Sequence, residues 1–403
     1  MECTVTRIGD TYVDQIVRTA HDRCLDDLDR FAELGLRTLR LPILWERTAP
    51  DGPATADWSW TDPYLERAQA LGIRPIAGLM HHGSGPRDTS LLDDELPKRL
   101  AAYAGAVAAR YPWIDAYTPV NEPLTTARFC ALYGHWYPHA ADDRSFALAL
   151  ANELEGVVRS MEAIRAVHPG AALVQTEDIG YVHSTPRLAY QADFENARRW
   201  ITYDLLCGRV DRHHPIGAFL LKAGLPEARL AWFADHPCPP QVLGINYYIT
   251  SERFLDERGA APGPGNGRHR YDDVAAVRRC AMRGVGGILD DAWERYQLPI
   301  AITEAHLGCT REEQMRWLLA IWDDTEAARA RGADVRAVTV WALLGAYDWD
   351  SLLTQVRGRY EPGVFDVRGP ERRATALAGV VRALAAGGRP SHPALAGTGW
   401  WQR

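Results

Sequence analysis

Residues 114–123 read Ile-Asp-Ala-Tyr-Thr-Pro-Val-Asn-Glu-Pro, an apolar run that ends in an amide and a carboxyl side chain before a proline. This pattern predicts a buried strand from Ala116 to Val120, because the second proline stops the strand and starts a loop. A carboxyl group at the end of such a strand points into a cleft, where loss of water can raise its pKa. Glu122 is therefore a candidate general acid.

A second apolar run ends in the same way, because residues 298–304 read Leu-Pro-Ile-Ala-Ile-Thr-Glu. Apolar, β-branched segments of this kind alternate with amphipathic helical patterns along the whole chain. The eight predicted strands are Cys3–Ile8, Thr38–Pro42, Arg74–Leu79, Ala116–Val120, Ala172–Gln175, Val242–Tyr247, Leu298–Glu304 and Ala337–Leu343.

Helical patterns separate these strands and follow the last one. They cover Asp22–Leu34, Pro63–Leu71, Asp93–Arg110, Ser145–Val167, segments between Leu188 and Ala234, Asp273–Tyr296, Arg311–Arg331 and Arg373–Ala385. Parallel strands need such crossovers, and eight repeats predict an α/β fold with a single (β/α)8 barrel over residues 1–403. The alternative is a doubly wound open sheet, which more often carries a glycine-rich phosphate loop after an early strand. The sequence has no such loop, so we favour the barrel.

Composition narrows the possible partners. The chain has 403 residues, of which 47% are hydrophobic, and its net charge is −7 without a basic run, so we expect no nucleic-acid partner. Neither a signal-peptide pattern nor an apolar run of about 18 residues is present, so we expect no membrane segment. The seven scattered cysteines form no CxxC pair, which favours a reduced, cytoplasmic protein. Nothing in the sequence predicts the oligomeric state.

One segment of low complexity follows the sixth predicted strand. Residues 257–268 are rich in glycine and proline, and we predict a mobile loop near residues 255–272 at the catalytic face of the barrel. Such a loop is either a lid over the site or a solvated connection, and the sequence leaves both interpretations open.

Six short motifs occur in order along the chain. They are LRLPILWER (39–47), LMHHGSGP (79–86), TPVNEP (118–123), NYY (246–248), ITE (302–304) and WALLGAYDW (341–349). They are similar to the motifs RFSISWxR, TLxHWDLP, TFNEP, LGxNYY, VTENG and WSLLDNFEW of glycoside hydrolase family 1. Each match alone is weak, but six in register make the chain resemble a divergent member of this family of β-glucosidase-like barrels.

The resemblance and the chemistry of retaining glycosidases imply the same pair of catalytic residues. These enzymes use one carboxyl group as acid and base and another, about 5–5.5 Å away, as nucleophile. Strands four and seven of an eight-stranded barrel face each other across its mouth, so Glu122 is the expected acid/base and Glu304 the nucleophile. Arg40 is a suitable cationic partner for Glu304, and Tyr248 a suitable hydrogen-bond donor to it.

Further residues are expected to bind the sugar. Asn121 suits the 2-hydroxyl group, His82 another ring hydroxyl, and Trp341 and Trp349 the floor and wall of the subsite. The remaining expected contacts are Asn246 and Asp348, while Trp136 and Tyr137 are candidates for the leaving-group side.

The sequence also departs from the family pattern at the rim of the site. Ala305-His-Leu-Gly follows Glu304, Gly345-Ala346 precede the tyrosine of the last motif, and Asp348 replaces a glutamate. The usual N-terminal glutamine motif is absent, and Glu2 is a candidate for that place. We therefore predict intact catalytic machinery with altered sugar selection.

These observations predict a cytoplasmic, cofactor-independent retaining β-glycosidase of carbohydrate metabolism that acts on a small-molecule or oligosaccharide glycoside. A transglycosidase of specialised metabolism and a catalytically silent sugar-binding barrel are the alternatives. A metal site at His81 and His82 is disfavoured, because adjacent strand residues face opposite sides and His81 should point away from His82.

Overall fold

A computed structural model describes residues 1–259, 263 and 265–403. Its strands are β1 (Val5–Ile8), β2 (Thr11–Asp14), β3 (Thr38–Pro42), β4 (Arg74–His81), β5 (Ala116–Asn121), β6 (Ala172–Asp178), β7 (Val182–Ser184), β8 (Val242–Tyr248), β9 (Arg253–Asp256), β10 (Asp272–Ala275), β11 (Ile300–His306), β12 (Val335–Val340), β13 (Ala346–Tyr347), β14 (Tyr360–Glu361), β15 (Phe365–Asp366) and β16 (Arg373–Ala374).

The α-helices lie mostly between these strands. They are α1 (Gln15–Arg18), α2 (Asp27–Glu33), α3 (Trp45–Thr48), α4 (Thr61–Ala70), α5 (Leu96–Arg110), α6 (Pro123–Ala127), α7 (Asp143–Val167), α8 (Ala189–Arg198), α9 (Ile201–Leu206), α10 (Pro215–Lys222), α11 (Glu227–Asp235), α12 (Gly284–Tyr296), α13 (Arg311–Ala330) and α14 (Ala376–Ala385).

Seven parallel strands form the central sheet in the order β12-β11-β8-β6-β5-β4-β3. Strands that follow one another along the barrel therefore lie side by side, as the alternation of strands and helices requires. Both faces of the sheet are buried, which explains why these strands read as nearly continuous apolar runs. The (β/α)8 barrel predicted from the sequence is confirmed.

The first predicted strand does not join this sheet. β1 pairs in antiparallel fashion with β2, so that Val5 lies opposite Asp14 and Ile8 opposite Thr11. The two residues between them, Gly9 and Asp10, form a tight hairpin loop in which Gly9 has a φ of 56°. The prediction of Cys3–Ile8 as a barrel strand is therefore wrong, because the local turn closes a hairpin there.

The segment after β9 also differs from the prediction. The helix predicted over Asp273–Tyr296 begins only at Gly284, because residues 272–275 form β10 and pair with β9. The predicted loop near 255–272 includes residues 260–262 and 264, which lie outside the described residues. No helix in the described part of the chain is long and apolar enough to cross a membrane.

Glu46, in the short helix α3, has a carboxyl group that is buried without a partner. Neither of its oxygens has a hydrogen-bond partner among the described residues. The carboxylate lies so close to Gly83 that a Cβ atom there would be 2.4 Å from one oxygen. Burial raises the pKa of Glu46 from 4.5 to about 8.

This burial makes Glu46 a source of pH-dependent stability. Between pH 4.5 and about 8 the folded state keeps a proton on Glu46 that the unfolded state releases, so stability falls as the pH rises. We predict that Glu46→Gln removes up to about 1.4 kcal/mol per pH unit of this decline. Urea unfolding at several pH values measures it. Glu66→Gln, on the exposed side of α4, should leave the wild-type slope unchanged, and an equal slope for both variants would contradict the prediction.

Candidate active site

The carboxyl ends of the central strands deliver the predicted site residues to one place. β3 carries Arg40, β5 ends in Asn121 with Glu122 following, and β11 carries Glu304. Glu304 is paired in register with Asn246 of β8, and Asn121 is paired with His81 of β4. The active sites of (β/α)8 barrels lie at this end of the barrel.

Arg40 of β3 forms hydrogen bonds with residues of β5 and β11. Its Nη1 atom donates to a carboxylate oxygen of Glu304 at 2.6 Å and to the backbone oxygen of Thr303 at 3.2 Å. Its Nη2 atom donates to the side-chain oxygen of Asn121 at 2.5 Å. Since the arginine is only 8% exposed, its charge acts on the Glu304 carboxyl group in a setting of low polarity, where charge-assisted hydrogen bonds are strong.

Glu122 has a different environment. Burial raises the pKa of its carboxyl group well above the usual range, and the nearby charges of Glu304, Asp178 and Glu177 raise it further. Among the described residues no arginine forms a hydrogen bond or an ion pair with it. Its side chain accepts a hydrogen bond from Asn246, and Nε2 of His82 lies 3.6 Å from its other oxygen. The site therefore contains one carboxyl group that favours protonation and one that is paired with a cation.

β8 supplies a hydrogen-bond donor to each glutamate. Asn246 donates to Glu122, and the hydroxyl group of Tyr248 donates to Glu304. The two donors are two residues apart, so they lie on the same face of the strand and point into the same cleft. Thr303 in turn donates to the side-chain oxygen of Asn246 at 2.7 Å, which fixes the orientation of the amide.

Both histidines of the second motif face the site. The amide nitrogen of Asn121 lies 3.3 Å from Nε2 of His81 and 3.4 Å from Nε2 of His82. The prediction that His81 points away is wrong, because the strand alternation ends there and His82 has a φ of 56°. Burial lowers the pKa of His82 to about 3 and that of His81 well below its usual range, so both rings are neutral.

Aromatic rings also line the cleft, where they pack against Arg40 and the two histidines. Trp341 stacks on His81 at 5.6 Å between ring centres and lies 5.3 Å from the guanidinium carbon of Arg40. Trp349 and Trp136 each pack against His82, at 5.8 and 5.3 Å. Such rings are suitable surfaces for the apolar faces of a sugar ring.

Glu2, the candidate for the missing glutamine position, lies next to Trp349. Its carboxyl group is buried and accepts hydrogen bonds from the indole Nε1 atom of Trp349 at 2.9 Å and from the backbone of Thr4 at 2.7 Å. Burial is the largest cause of its raised pKa, and the charge of Glu304 contributes to it. A sugar hydroxyl group reaching Trp349 would also be close to Glu2.

The carboxylate of Asp348 binds other parts of the protein. Its carboxylate accepts a hydrogen bond from Arg18 at 2.6 Å and others from the backbone of residues 357, 358 and 359 at 2.7–3.1 Å. Three of the four donors reach Oδ2 and one reaches Oδ1, and the residue is fully buried. These contacts give Asp348 a structural role, because they hold the loop of residues 357–359, and its expected sugar contact stays a prediction.

We predict that Asp348→Asn lowers the free energy of unfolding by about 2–4 kcal/mol, because it leaves Arg18 without its anionic partner. Burial opposes ionisation, but these donors hold the pKa of Asp348 at about 2, so the contribution is present at neutral pH and is lost only in strong acid. Asp350→Asn is the control, because Asp350 pairs with Arg357 and Arg359 at the exposed surface. Equal stabilities of the two variants would contradict this role.

Two acidic residues at the end of β6 were missed by the sequence analysis. Asp178 lies near both candidate catalytic carboxyl groups, accepts a hydrogen bond from Ser251 at 2.5 Å and has a pKa raised by burial. Glu177 accepts hydrogen bonds from the backbone of Leu124 and Thr125, at 2.8 and 3.2 Å, directly after Glu122. The available signal was the Glu-Asp pair at the end of the fifth predicted strand.

No group of three or more His, Cys, Asp or Glu side chains within residues 1–259, 263 and 265–403 is arranged to hold a metal ion.

The strand ends of the barrel thus bring together two buried glutamates, a buried arginine and several tryptophans. No family model matches the chain. It is 24% identical over 400 residues to "Thermostable beta-glucosidase B" of Thermobispora bispora, covering 86% of this chain and 76% of that protein. It is 23% identical to "Beta-glucosidase 47" of Arabidopsis thaliana, with 88% and 74% covered.

The fold of the chain is also similar to that of solved β-glucosidase structures. The β-glucosidase of Thermotoga maritima in complex with castanospermine superposes with a TM-score of 0.78 at 17% identity, covering 93% of this chain and 88% of that one. These similarities confirm that the chain resembles the β-glucosidases of glycoside hydrolase family 1 as a divergent relative.

Proposed function

We propose that the protein is a retaining β-glycosidase that cleaves a β-linked glycoside with Glu304 as nucleophile and Glu122 as acid and base. The observation that carries this proposal is the electrostatic difference between the two carboxyl groups. Glu304 is paired with Arg40 at 2.6 Å, while burial and neighbouring carboxylates raise the pKa of Glu122 well above its usual range. A retaining mechanism needs one ionised and one protonated carboxyl group in the resting enzyme.

In the first step a carboxylate oxygen of Glu304 attacks the anomeric carbon and forms a glycosyl ester. The bond from this carbon to the leaving oxygen breaks, and Glu122 gives its proton to that oxygen. Before the attack, hydrogen bonds from Arg40 and Tyr248 position the carboxylate of Glu304. These hydrogen bonds weaken during the attack, because Glu304 loses its negative charge as the ester forms.

In the second step Glu122, now ionised, removes a proton from a water molecule that attacks the same carbon. The ester bond breaks, Glu304 regains its charge next to Arg40, and Glu122 regains its proton. The loss of one negative charge during the glycosyl-enzyme stage favours ionised Glu122 at that time, because Glu304 contributes to its raised pKa. The arrangement thus supports both roles of Glu122.

We assign the expected sugar contacts from the chemistry of the side chains that line the cleft. Asn121 suits the 2-hydroxyl group, the neutral rings of His81 and His82 can accept hydrogen bonds, and Trp341 and Trp349 form apolar walls. The two relatives of which this chain covers 76% and 74% carry the name β-glucosidase, which supports a β-glycoside as substrate. We keep the sugar itself open, because Glu2 and the buried Asp348 make the rim differ from the family pattern. The cytoplasmic location and independence from cofactors also stay predictions.

Azide rescue of two variants tests the roles of the glutamates. We predict that Glu304→Ala abolishes turnover of nitrophenyl β-glycosides, and that added azide restores it and yields the α-glycosyl azide. Azide would then occupy the space of the nucleophile on the α face. Glu122→Ala should still form the glycosyl ester from a substrate with an activated leaving group, and azide should then give the β-glycosyl azide. The anomers are distinguished by proton NMR.

Two outcomes would contradict the proposal. A β-glycosyl azide from Glu304→Ala would exclude Glu304 as the nucleophile, and full activity of either variant without azide would exclude that residue from the reaction. Glu66→Gln, far from the cleft on α4, serves as the folded and active control. An alcohol acceptor in the wild-type assay separates hydrolysis from transglycosylation, because only the latter gives the alkyl glycoside as main product.

A further inference from the structure

A second cleft lies on the outside of the barrel, away from the two glutamates. It has a volume of about 850 Å³ and is bounded by α12, α13, residues 277–282 and residues 395–403. Tyr247 contributes to its lining, whereas the next residue, Tyr248, points into the barrel and contacts Glu304. The cleft therefore lies on the opposite side of β8 from the catalytic residues.

The cleft is positively charged although the chain is acidic overall. Two aspartates line it together with five arginines, which are Arg278, Arg279, Arg316, Arg389 and Arg403. Three of these arginines are already paired, because Arg389 binds Asp323 through two hydrogen bonds of 2.6 and 2.8 Å, and Arg316 and Arg403 lie 2.7 and 3.6 Å from a carboxylate oxygen of Glu313. Within the described residues, the side chains of Arg278 and Arg279 have neither a hydrogen bond nor an ion pair. These two consecutive arginines are exposed and line the cleft, so they are available to an anion.

Aromatic side chains form the floor and one wall of the same cleft. Trp317 stacks on Tyr247 with 5.8 Å between ring centres, and the edge of Trp401 packs against Trp317 at 5.0 Å. The Trp401 ring lies over Gly399, where a Cβ atom would be 2.4 Å from the ring, so glycine is required for this position of the indole. The wall is thus fixed by packing.

Trp317 also provides a donor without an acceptor. It is only 3% exposed, and its indole Nε1 atom is buried with no hydrogen-bond partner in the described part of the chain. A buried donor without a partner costs free energy, and a bound ligand with an acceptor atom would relieve that cost.

We propose that this cleft binds a nucleotide-like ligand, that is, an aromatic ring joined to a phosphate or diphosphate group. Planar guanidinium groups bind phosphate oxygens in pairs, which suits Arg278 and Arg279. Indole rings stack on aromatic bases, which suits Trp401, and a ring nitrogen or oxygen of the base could accept from Trp317. The volume falls within the range of about 300–1,000 Å³ that small-ligand sites occupy.

The test uses adenosine diphosphate as the probe, with inorganic pyrophosphate and adenosine as its two halves. Isothermal titration calorimetry on the full chain should show saturable binding of adenosine diphosphate at one site per chain. The double variant Arg278→Gln/Arg279→Gln should weaken this binding by about tenfold or more. Trp401→Ala should weaken the binding of adenosine diphosphate but not that of pyrophosphate, because only the former carries a ring.

Arg382→Gln is the matched control, because Arg382 is an exposed arginine of α14 outside the cleft. It should bind adenosine diphosphate like the wild type, and thermal unfolding confirms that each variant is folded. Three results would overturn the proposal: no saturable binding of adenosine diphosphate at millimolar concentrations, binding that the double arginine variant retains in full, or binding no tighter than that of pyrophosphate alone. The calorimetric experiment measures binding and not glycosidase activity, so its result does not depend on the proposed reaction.

Discussion

The buried guanidinium group of Arg40 is the constraint on which the catalytic cleft depends. It connects β3 to β5 through Asn121 and to β11 through Glu304, at 2.5 and 2.6 Å. A positive charge that is 8% exposed requires anionic or polar partners, and these partners are the side chains proposed to act on the substrate. Replacing Arg40 would therefore leave Glu304 as an uncompensated buried charge and release the orientation of Asn121. Stability and the proposed chemistry depend on the same contacts.

The difference between the two glutamates follows from where their strands end. Glu304 lies within reach of Arg40, whereas Glu122 is surrounded by other carboxyl groups, an amide and a neutral histidine. Asn246 and Tyr248 stabilise both arrangements at once, because the alternation of side chains along β8 points both donors into the cleft. Two carboxyl groups with different surroundings therefore lie in one small cleft.

The sequence predicted the barrel and the convergence of the main site residues, because apolar strand runs and strand-end polar residues are local signals. It failed where local geometry overrides the pattern. The Gly9-Asp10 turn makes β1 part of a hairpin, and the left-handed conformation of His82 brings His81 into the cleft. Asp348 matched a motif position, but its carboxylate also binds Arg18 and a loop nine to eleven residues later in the chain. Such contacts between distant segments are not visible in a motif.

The stereochemistry of the reaction tests the central claim most directly. A nitrophenyl β-glycoside that the protein cleaves would be followed by proton NMR, with spectra recorded before the released sugar equilibrates between its anomers. A nucleophilic Glu304 and an acid/base Glu122 predict that the β-anomer appears first, because two inversions give net retention. If the α-anomer appears first, water attacks the substrate directly, and the assignment of Glu304 as a covalent nucleophile is wrong.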